Sequence, residues 1–418
     1  MAATLALVAV LALGSTGTTA APTVTTTATE NAVLYWSGVT APSIIAGGRA
    51  PASSSVLGGI VHGAMYDAVA AIDGSLEPFA TRVTAPPGAN ADAAVAQAAR
   101  DVMVVRVPGQ AAVIQAAYDT YMATIPDGPA KEAGKLVGTA AAAGMLAMRY
   151  GDHFDDVVPY VQKTPGPGVF EPIAATKPVA VELPFVRPFT YASPSDYRPN
   201  GPLDMTTRRY ARDWEEVRTL GKVDSTVRTA EQTQTVKFHT EQTFVQFNRT
   251  LRALAVDRGL DLRESARLMG YVNVATADTM IACWEAKYFY SSWRPNHAIL
   301  RADTDGNDAT TAETGWLPLV VGNHPEYPSG HSCFTGAVTE SLKNYFGTKH
   351  VQIVASSTAL GAGPPRTYDD IDELVKDVEN ARVWGGLHFR STMQDSAKWA
   401  PQIADDVGKH YFLKDAKK

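Results

Sequence analysis

Apolar residues recur at helical spacing through Ser54–Ile72 (SSVLGGIVHGAMYDAVAAI), Ala91–Val107, Gln110–Ile125 and Pro129–Tyr150, in alanine-rich segments where little alternates as a strand would. Helices packed on helices are therefore predicted over 31–155. The pattern then stops. Ten of the 26 prolines fall between Pro159 and Pro202, so 156–203 is expected to run as turns and extended chain over a surface, as a linker or a wrapping loop. Helical periodicity resumes from about Asp204. Asp261-Leu262-Arg263-Glu264 reads as a variant capping box that opens a long helix through Ala275 and on towards Trp293, with Pro295 as its stop. A loop rich in Asp, Thr and Gly (301–315) precedes a helix from Ser329 to Phe346, and further helices are expected from Ile371 and from His388 to Phe412. No repeat of fixed period is evident. The fold class is all-α: two packed helical bundles, 31–155 and 204–413, joined by the proline-rich strap.

Composition narrows the function without naming it. The 418 residues are 45% apolar and 19% charged, enough for a large core. Lys+Arg 37 against Asp+Glu 43 leaves no general basic field, which argues against nucleic acid as a partner. After the first twenty or so residues no uninterrupted apolar run reaches the roughly 18 needed for a transmembrane span, so no integral span is expected in the mature chain. At the N-terminus, Leu5–Leu13 (LALVAVLAL) followed by small residues and a cut near Ala20 or Ala21 reads as a secretory signal peptide over 1–21, although no Lys or Arg precedes it. The expected location is secreted, periplasmic or cell-envelope. Cys283 and Cys333 are too few for a disulfide framework or a cysteine zinc site and read as buried small residues, with a single bridge as the alternative for an exported chain. Asp303-Thr-Asp305-Gly-Asn307-Asp308 lacks the glycine and glutamate positions of a calcium loop, so no calcium site is predicted.

Three short segments concentrate cationic and imidazole side chains beside structural punctuation. In Lys287-Tyr-Phe-Tyr-Ser-Ser-Trp-Arg294-Pro295 the seven-residue spacing returns to within about 20° of its starting direction on a helix. That places Lys287 and Arg294 on one face, either presented to a polyanion or solvated. Pro328-Ser329-Gly330-His331 sits where the next helix begins, so free amides and the positive end of the helix dipole meet a hydroxyl and an imidazole. Simple capping by Ser329 is the plainer alternative. In Arg382-Val-Trp-Gly385-Gly386-Leu-His388 an unbroken helix would hold Arg382 and His388 about 120° apart, but the two glycines let the chain turn and the side chains converge.

Taken together, Lys-x6-Arg-Pro, Pro-Ser-Gly-His and Arg-x5-His, in that order, resemble the vanadium-dependent haloperoxidases and type 2 phosphatidic acid phosphatases. Outside the site, VLYW (33–36), HGAMYDAVAAIDG (62–74), RTAEQT (228–233) and AKYFYSSWRP (286–295) look like the bacterial haloperoxidase branch. The resemblance implies a vanadate cofactor, with phosphate able to take the same site. Lys287, Arg294 and Arg382 would neutralise its oxygens, and Ser329 and the Gly330 amide would donate further hydrogen bonds. His388 would be the vanadium axial ligand, and His331 the acid and base. His331, Lys287 and His388 are the implied catalytic groups, and hydrogen peroxide, a halide and an organic acceptor the implied partners. His324, seven residues before His331, looks like the bromoperoxidases, whereas Trp284, three before Lys287, looks like the chloroperoxidases. Bromide is favoured because it is the easier of the two to oxidise.

The same residues could serve an acid phosphatase through a phosphohistidine at His388, or a non-catalytic oxyanion-binding protein. The phosphatase pattern usually has Ser before the second Arg and Asp four residues after the second His; here those positions are Ala381 and Thr392, and the nearest carboxylate is Asp395. A nucleophilic histidine without an orienting carboxylate is a poorer nucleophile, so the sequence favours the haloperoxidase.

Overall fold

The computed structural model describes residues 30–173 and 176–414. The expected export segment, 1–21, lies outside them. The fold is all-α. Helices α1 (Ala32–Ala46), α2 (Pro51–Asp73), α3 (Ala91–Arg106), α4 (Ala111–Met122) and α5 (Pro129–Met148) form the first bundle. The second contains α6 (Arg208–Leu220), α7 (Ala230–Phe238), α8 (Thr243–Asp257), α9 (Leu262–Tyr290), α10 (Pro295–Leu300), α11 (Gly330–Phe346), α12 (Ile371–Trp384), α13 (Arg390–Trp399) and α14 (Pro401–Val407).

The two bundles share a core. Helix α9 is apolar on nearly every side and buried from Leu268 through Trp284, the signature of a helix enclosed by others. Its largest interface is with α2, which crosses over from the first bundle. Among the described residues α2 is the one helix long and apolar enough to cross a membrane, and 89% of its apolar window is buried inside the protein. The predicted capping box is present: Asp261 accepts from the Glu264 amide, and the Glu264 side chain accepts from the Asp261 amide.

Two helix boundaries differ from the sequence expectation, and one element is new. Helix α9 ends at Tyr290 because Ser291 turns left-handed (φ 51°, ψ 47°), and Pro295 starts α10 rather than stopping α9. The expected helix from His388 to Phe412 is three pieces. His388 precedes α13, Pro401 restarts the chain as α14, and Gly408–Phe412 is a π turn. A two-stranded antiparallel hairpin, β1 (Ile353–Ala355) with β2 (Arg366–Tyr368), was not foreseen, because three-residue strands carry too few positions for a period.

The proline-rich strap wraps α9 by donating and accepting hydrogen bonds along it. The Phe189 amide (2.6 Å), the Thr190 amide (3.0 Å) and the Thr190 hydroxyl all donate to buried Asp278. Trp284 Nε1 (3.1 Å) and the Tyr288 hydroxyl (2.7 Å) both donate to the Val179 carbonyl. Each buried donor left without a partner costs roughly 1–3 kcal/mol. Asp278→Ala is therefore expected to destabilise the protein by about 3 kcal/mol or more, read as a lower denaturant midpoint with increased proteolysis between 180 and 200. A midpoint equal to the wild type would show that the strap is held elsewhere.

Candidate active site

The N-terminus of α11 is the hub of the site. Ser329 caps it, its side chain accepting from the Ser332 amide (3.4 Å) while its own amide donates to Ser396 Oγ (2.9 Å). A Cβ at Gly330 would lie 2.8 Å from the Trp284 ring, so what this glycine makes room for is the indole.

Lys287, on the last turn of α9, is fully buried. Its ammonium donates to the carbonyls of Pro325 (3.0 Å), Glu326 (3.1 Å) and Pro328. With its three donors committed to the segment that delivers Ser329, it offers the site charge. Arg294 reaches the same place from beyond the end of α9, so a shared helix face is not what unites it with Lys287. Its Nε donates to the His324 carbonyl (2.6 Å), Nη1 to the Leu387 carbonyl (2.8 Å) and to His388 Nε2 (3.2 Å), and Nη2 to His324 Nδ1 (2.7 Å). Arg382 comes from the C-terminal turn of α12 and donates from Nη1 to the His239 carbonyl (3.0 Å). Its Nε has no partner among the described residues. The predicted turn at the glycine pair is real. Helix α12 ends at Trp384, Gly386 adopts φ +76°, and the Leu387 amide returns to the Arg382 carbonyl (3.0 Å).

Both imidazoles are neutral, because burial and the neighbouring cations hold their pKa values well below the usual histidine range. His331 hydrogen-bonds the His239 carbonyl, while its Nε2 has no partner among the described residues. His388 Nδ1 donates to Glu326 Oε1 at 3.0 Å, which fixes the tautomer and leaves the Nε2 lone pair facing Arg294. His324 lies over Trp284, ring centroids 5.2 Å apart. His324 and His331 retain accessible surface, whereas Lys287, Arg294, Ser329, Arg382 and His388 are buried. The accessible side of the cluster is thus lined by His324 and His331.

Two residues were missed by the sequence reading. His239, just after α7, supplies the carbonyl used by both Arg382 and His331, and its own Nε2 is held by Asp377 (3.0 Å). Glu326 matters more. Besides His388 it accepts from the Phe389 amide (3.1 Å) and the Thr392 hydroxyl (2.9 Å), and burial pushes its pKa up. The inference that His388 has no orienting carboxylate is therefore wrong. The carboxylate comes from the loop before α11 rather than from α13, and Thr392 holds it in place. Glu326 lies two residues before the Pro328–His331 motif singled out above, and no local spacing links it to His388. Glu326→Gln keeps the shape and loses the charge-assisted bond. A 10- to 100-fold loss of oxyanion affinity or turnover is expected, the usual scale for partners that orient a metal-binding histidine, measured by equilibrium dialysis against vanadate.

Three buried cations face one buried carboxylate. Glu326 acts on Lys287 and Arg294, and the charge acting on Arg382 is that of Arg294. Desolvation works against all three positive charges. Such a cluster is compensated by an oxyanion with charge-assisted hydrogen bonds, and the partnerless Arg382 Nε and His331 Nε2 are suitable contacts for one.

The family model of the VCPO second helical-bundle domain matches residues 267–413. Within that domain lie Lys287, Arg294, Ser329, Gly330, Arg382 and both imidazoles. The vanadium chloroperoxidase of Curvularia inaequalis is 32% identical over 118 residues, a match spanning 24% of this chain and 19% of that protein. Among solved structures, a bacterial vanadium-dependent iodoperoxidase superposes with TM-score 0.78 at 19% identity, covering 93% of this chain and 97% of the other. A bacterial vanadium-dependent chloroperoxidase gives 0.69 at 17% identity, covering 86% and 92%. The VCPO-type bundle and the α2 crossover thus belong to one fold shared along nearly the whole described chain.

Proposed function

We propose that the chain is a vanadate-dependent haloperoxidase, oxidising bromide with hydrogen peroxide to a hypobromous-acid equivalent that halogenates an organic acceptor. The observation that carries this reading is the convergence of three buried cations and two neutral imidazoles on the N-terminus of α11. Arg294, Arg382, the Ser329 hydroxyl and the first amides of α11 would hold the oxygens of vanadate, Lys287 would add its field, and His388 Nε2 would bind the metal. Bound vanadate supplies a Lewis acid that activates peroxide for oxygen transfer to halide. His331 Nε2, which has no partner among the described residues, would take the peroxide proton and return it to the departing water oxygen. The sum is balanced: hydrogen peroxide, bromide and a proton give hypobromous acid and water. Bromide rests on His324 beside Trp284, and on its being easier to oxidise than chloride. The named relatives, an iodoperoxidase and two chloroperoxidases, lend the peroxidase class its support.

One observation favours a second reading. Glu326 gives His388 the orientation a phosphorus nucleophile requires, so phosphate-ester hydrolysis through a phosphohistidine, with His331 protonating the leaving alcohol, uses the same atoms. One preparation separates the readings. Metal-free protein is assayed for bromination of monochlorodimedone, against chloride and iodide, and for p-nitrophenyl phosphate hydrolysis, with and without orthovanadate. Vanadate-dependent bromination is the expected result; hydrolysis inhibited by vanadate, without halogenation, overturns it. His331→Ala is expected to abolish turnover while leaving oxyanion binding, whereas full function in that variant would indicate a binding protein.

A further inference from the structure

Helix α7 ends at Phe238, and His239, its C-terminal cap, presents a carbonyl beyond the last turn. Carbonyls at a helix C-terminus lack intrahelical partners and sit at the negative end of the dipole, where cations are favoured. Here the cation is Arg382, whose Nη1 donates to this oxygen (3.0 Å). His331 hydrogen-bonds the same carbonyl, and since Nε2 is its unpartnered ring nitrogen, the bond falls to Nδ1. One peptide oxygen therefore orients a cation and an imidazole of the site together.

That peptide is held by its own side chain. His239 is buried, and its Nε2 bonds Asp377 Oδ2 at 3.0 Å. Asp377 stands on α12, as does Arg382, so the clamp runs from α12 to the end of α7 and back to α12. The carboxylate is in turn held by β2, where the Tyr368 hydroxyl donates to it at 2.7 Å and Arg366 Nη1 at 3.2 Å. Burial works against its charge, yet the bonds from His239 and Tyr368 and the Arg366 guanidinium hold its pKa below the usual carboxylate value. An ionised carboxylate only accepts, so the neutral His239 ring carries its proton on Nε2. Asp377 also borders a surface groove and keeps 17% of its side-chain surface exposed. An amide of the same size there opens no sealed void.

We infer that Asp377 is a positioning residue for the oxyanion site: acting through His239, it sets the carbonyl that aims Arg382 at the oxyanion and keeps the His331 proton on Nδ1. The β1–β2 hairpin, which supplies no member of the cluster, thereby gains a part in its chemistry. The inference rests on the oxyanion reading of the cluster and is indifferent to whether halide or phosphate ester is the substrate.

Two measurements on the full chain test it. Equilibrium dialysis gives the orthovanadate affinity of the wild type, Asp377→Asn, Arg382→Met and the double variant. Asp377→Asn is expected to weaken vanadate by about tenfold or more, the scale for partners that orient a binding group. Long-range charge would act the other way, because removing a carboxylate favours an anion. In the Arg382→Met background the same change should cost less than about twofold, since the residue it acts through is gone; independent sites would show the full cost in both backgrounds. In the ligand-free chain, ¹⁵N-labelled at histidine, two-bond proton–nitrogen correlations report which His331 nitrogen is protonated, the signal being assigned by its absence in His331→Gln. Nδ1–H is expected in the wild type, and a shift towards Nε2–H in Asp377→Asn. His239→Ala, which removes the ring and keeps the carbonyl, should reproduce both changes, and it decides the matter should Asp377→Asn fail to fold by circular dichroism. Tyr368→Phe, which loosens the hairpin but spares the His239 bond, should alter neither readout. Wild-type affinity in both Asp377→Asn and His239→Ala, equal losses in the two backgrounds, an unchanged His331 tautomer, or equal effects from Tyr368→Phe would each overturn the inference. A wild type that binds no vanadate would count against the proposed function instead, and the tautomer comparison would still decide this one.

Discussion

Arg382→Met is expected to make the ligand-free protein more stable and to weaken its hold on vanadate on the order of 100-fold. The two effects share one cause. Arg382 is buried, its Nη1 donates to a single carbonyl, and its Nε has no partner among the described residues. Its charge therefore lies in a poorly solvated place beside another guanidinium. Methionine keeps most of the volume and removes the desolvation penalty; such replacements of buried ionic groups are often neutral or stabilising by about 1–4 kcal/mol. The His239 carbonyl keeps its bond to His331, so little is left unsatisfied. With the oxyanion present the sign reverses, because truncating one side of a buried charge pair costs about 2–5 kcal/mol. Thermal unfolding with and without orthovanadate gives both numbers. The wild type should gain about 2.7 kcal/mol at a vanadate concentration 100 times Kd, and the variant should show a higher midpoint alone and almost no vanadate shift. A variant that melts lower without ligand, and binds vanadate as the wild type does, would make Arg382 a structural cation.

His388→Ala is expected to remove turnover by a factor on the order of 10³ or more, the scale for deleting a residue whose partners act as a unit. Both readings of the site depend on the Nε2 lone pair, and no other imidazole in the cluster has its Nδ1 proton held by a buried carboxylate. The elements that frame it, the turn after α12 that ends at Leu387 and α13 from Arg390, are anchored by backbone hydrogen bonds that alanine preserves. Folding should therefore survive, as checked by circular dichroism. Added imidazole, filling the truncated space, should restore part of the bromination or of the phosphate-ester hydrolysis, whichever the wild type shows. Wild-type activity in His388→Ala would dismiss both chemistries together.

How much of this was legible beforehand depended on whether the determining contacts are local. The ranges of α2, α3, α4 and α5 follow apolar periodicity within a few residues, and the Asp261–Glu264 capping box spans a single turn. The glycine turn after α12 was likewise readable, since only a residue tolerant of positive φ fits at Gly386. By contrast, seven-residue spacing suggested one helix from Lys287 to Arg294, yet the helix ends at Ser291 and Arg294 arrives from a separate segment. The right pair was found for the wrong geometric reason.

The sequence by itself determined the helical class, the strap, and the cations and imidazoles around the Ser329 cap, because each is written in short-range pattern or in a motif a few residues long. Only the tertiary structure decided which carboxylate serves His388, that the Lys287 ammonium is committed to three carbonyls, and that Asp377 holds the residue whose carbonyl Arg382 uses. Glu326 and His388 are 62 positions apart. Nothing in local periodicity encodes a contact at that separation; it exists because α12 and α13 pack on α11, which itself packs on α9, and packing is a property of the whole chain.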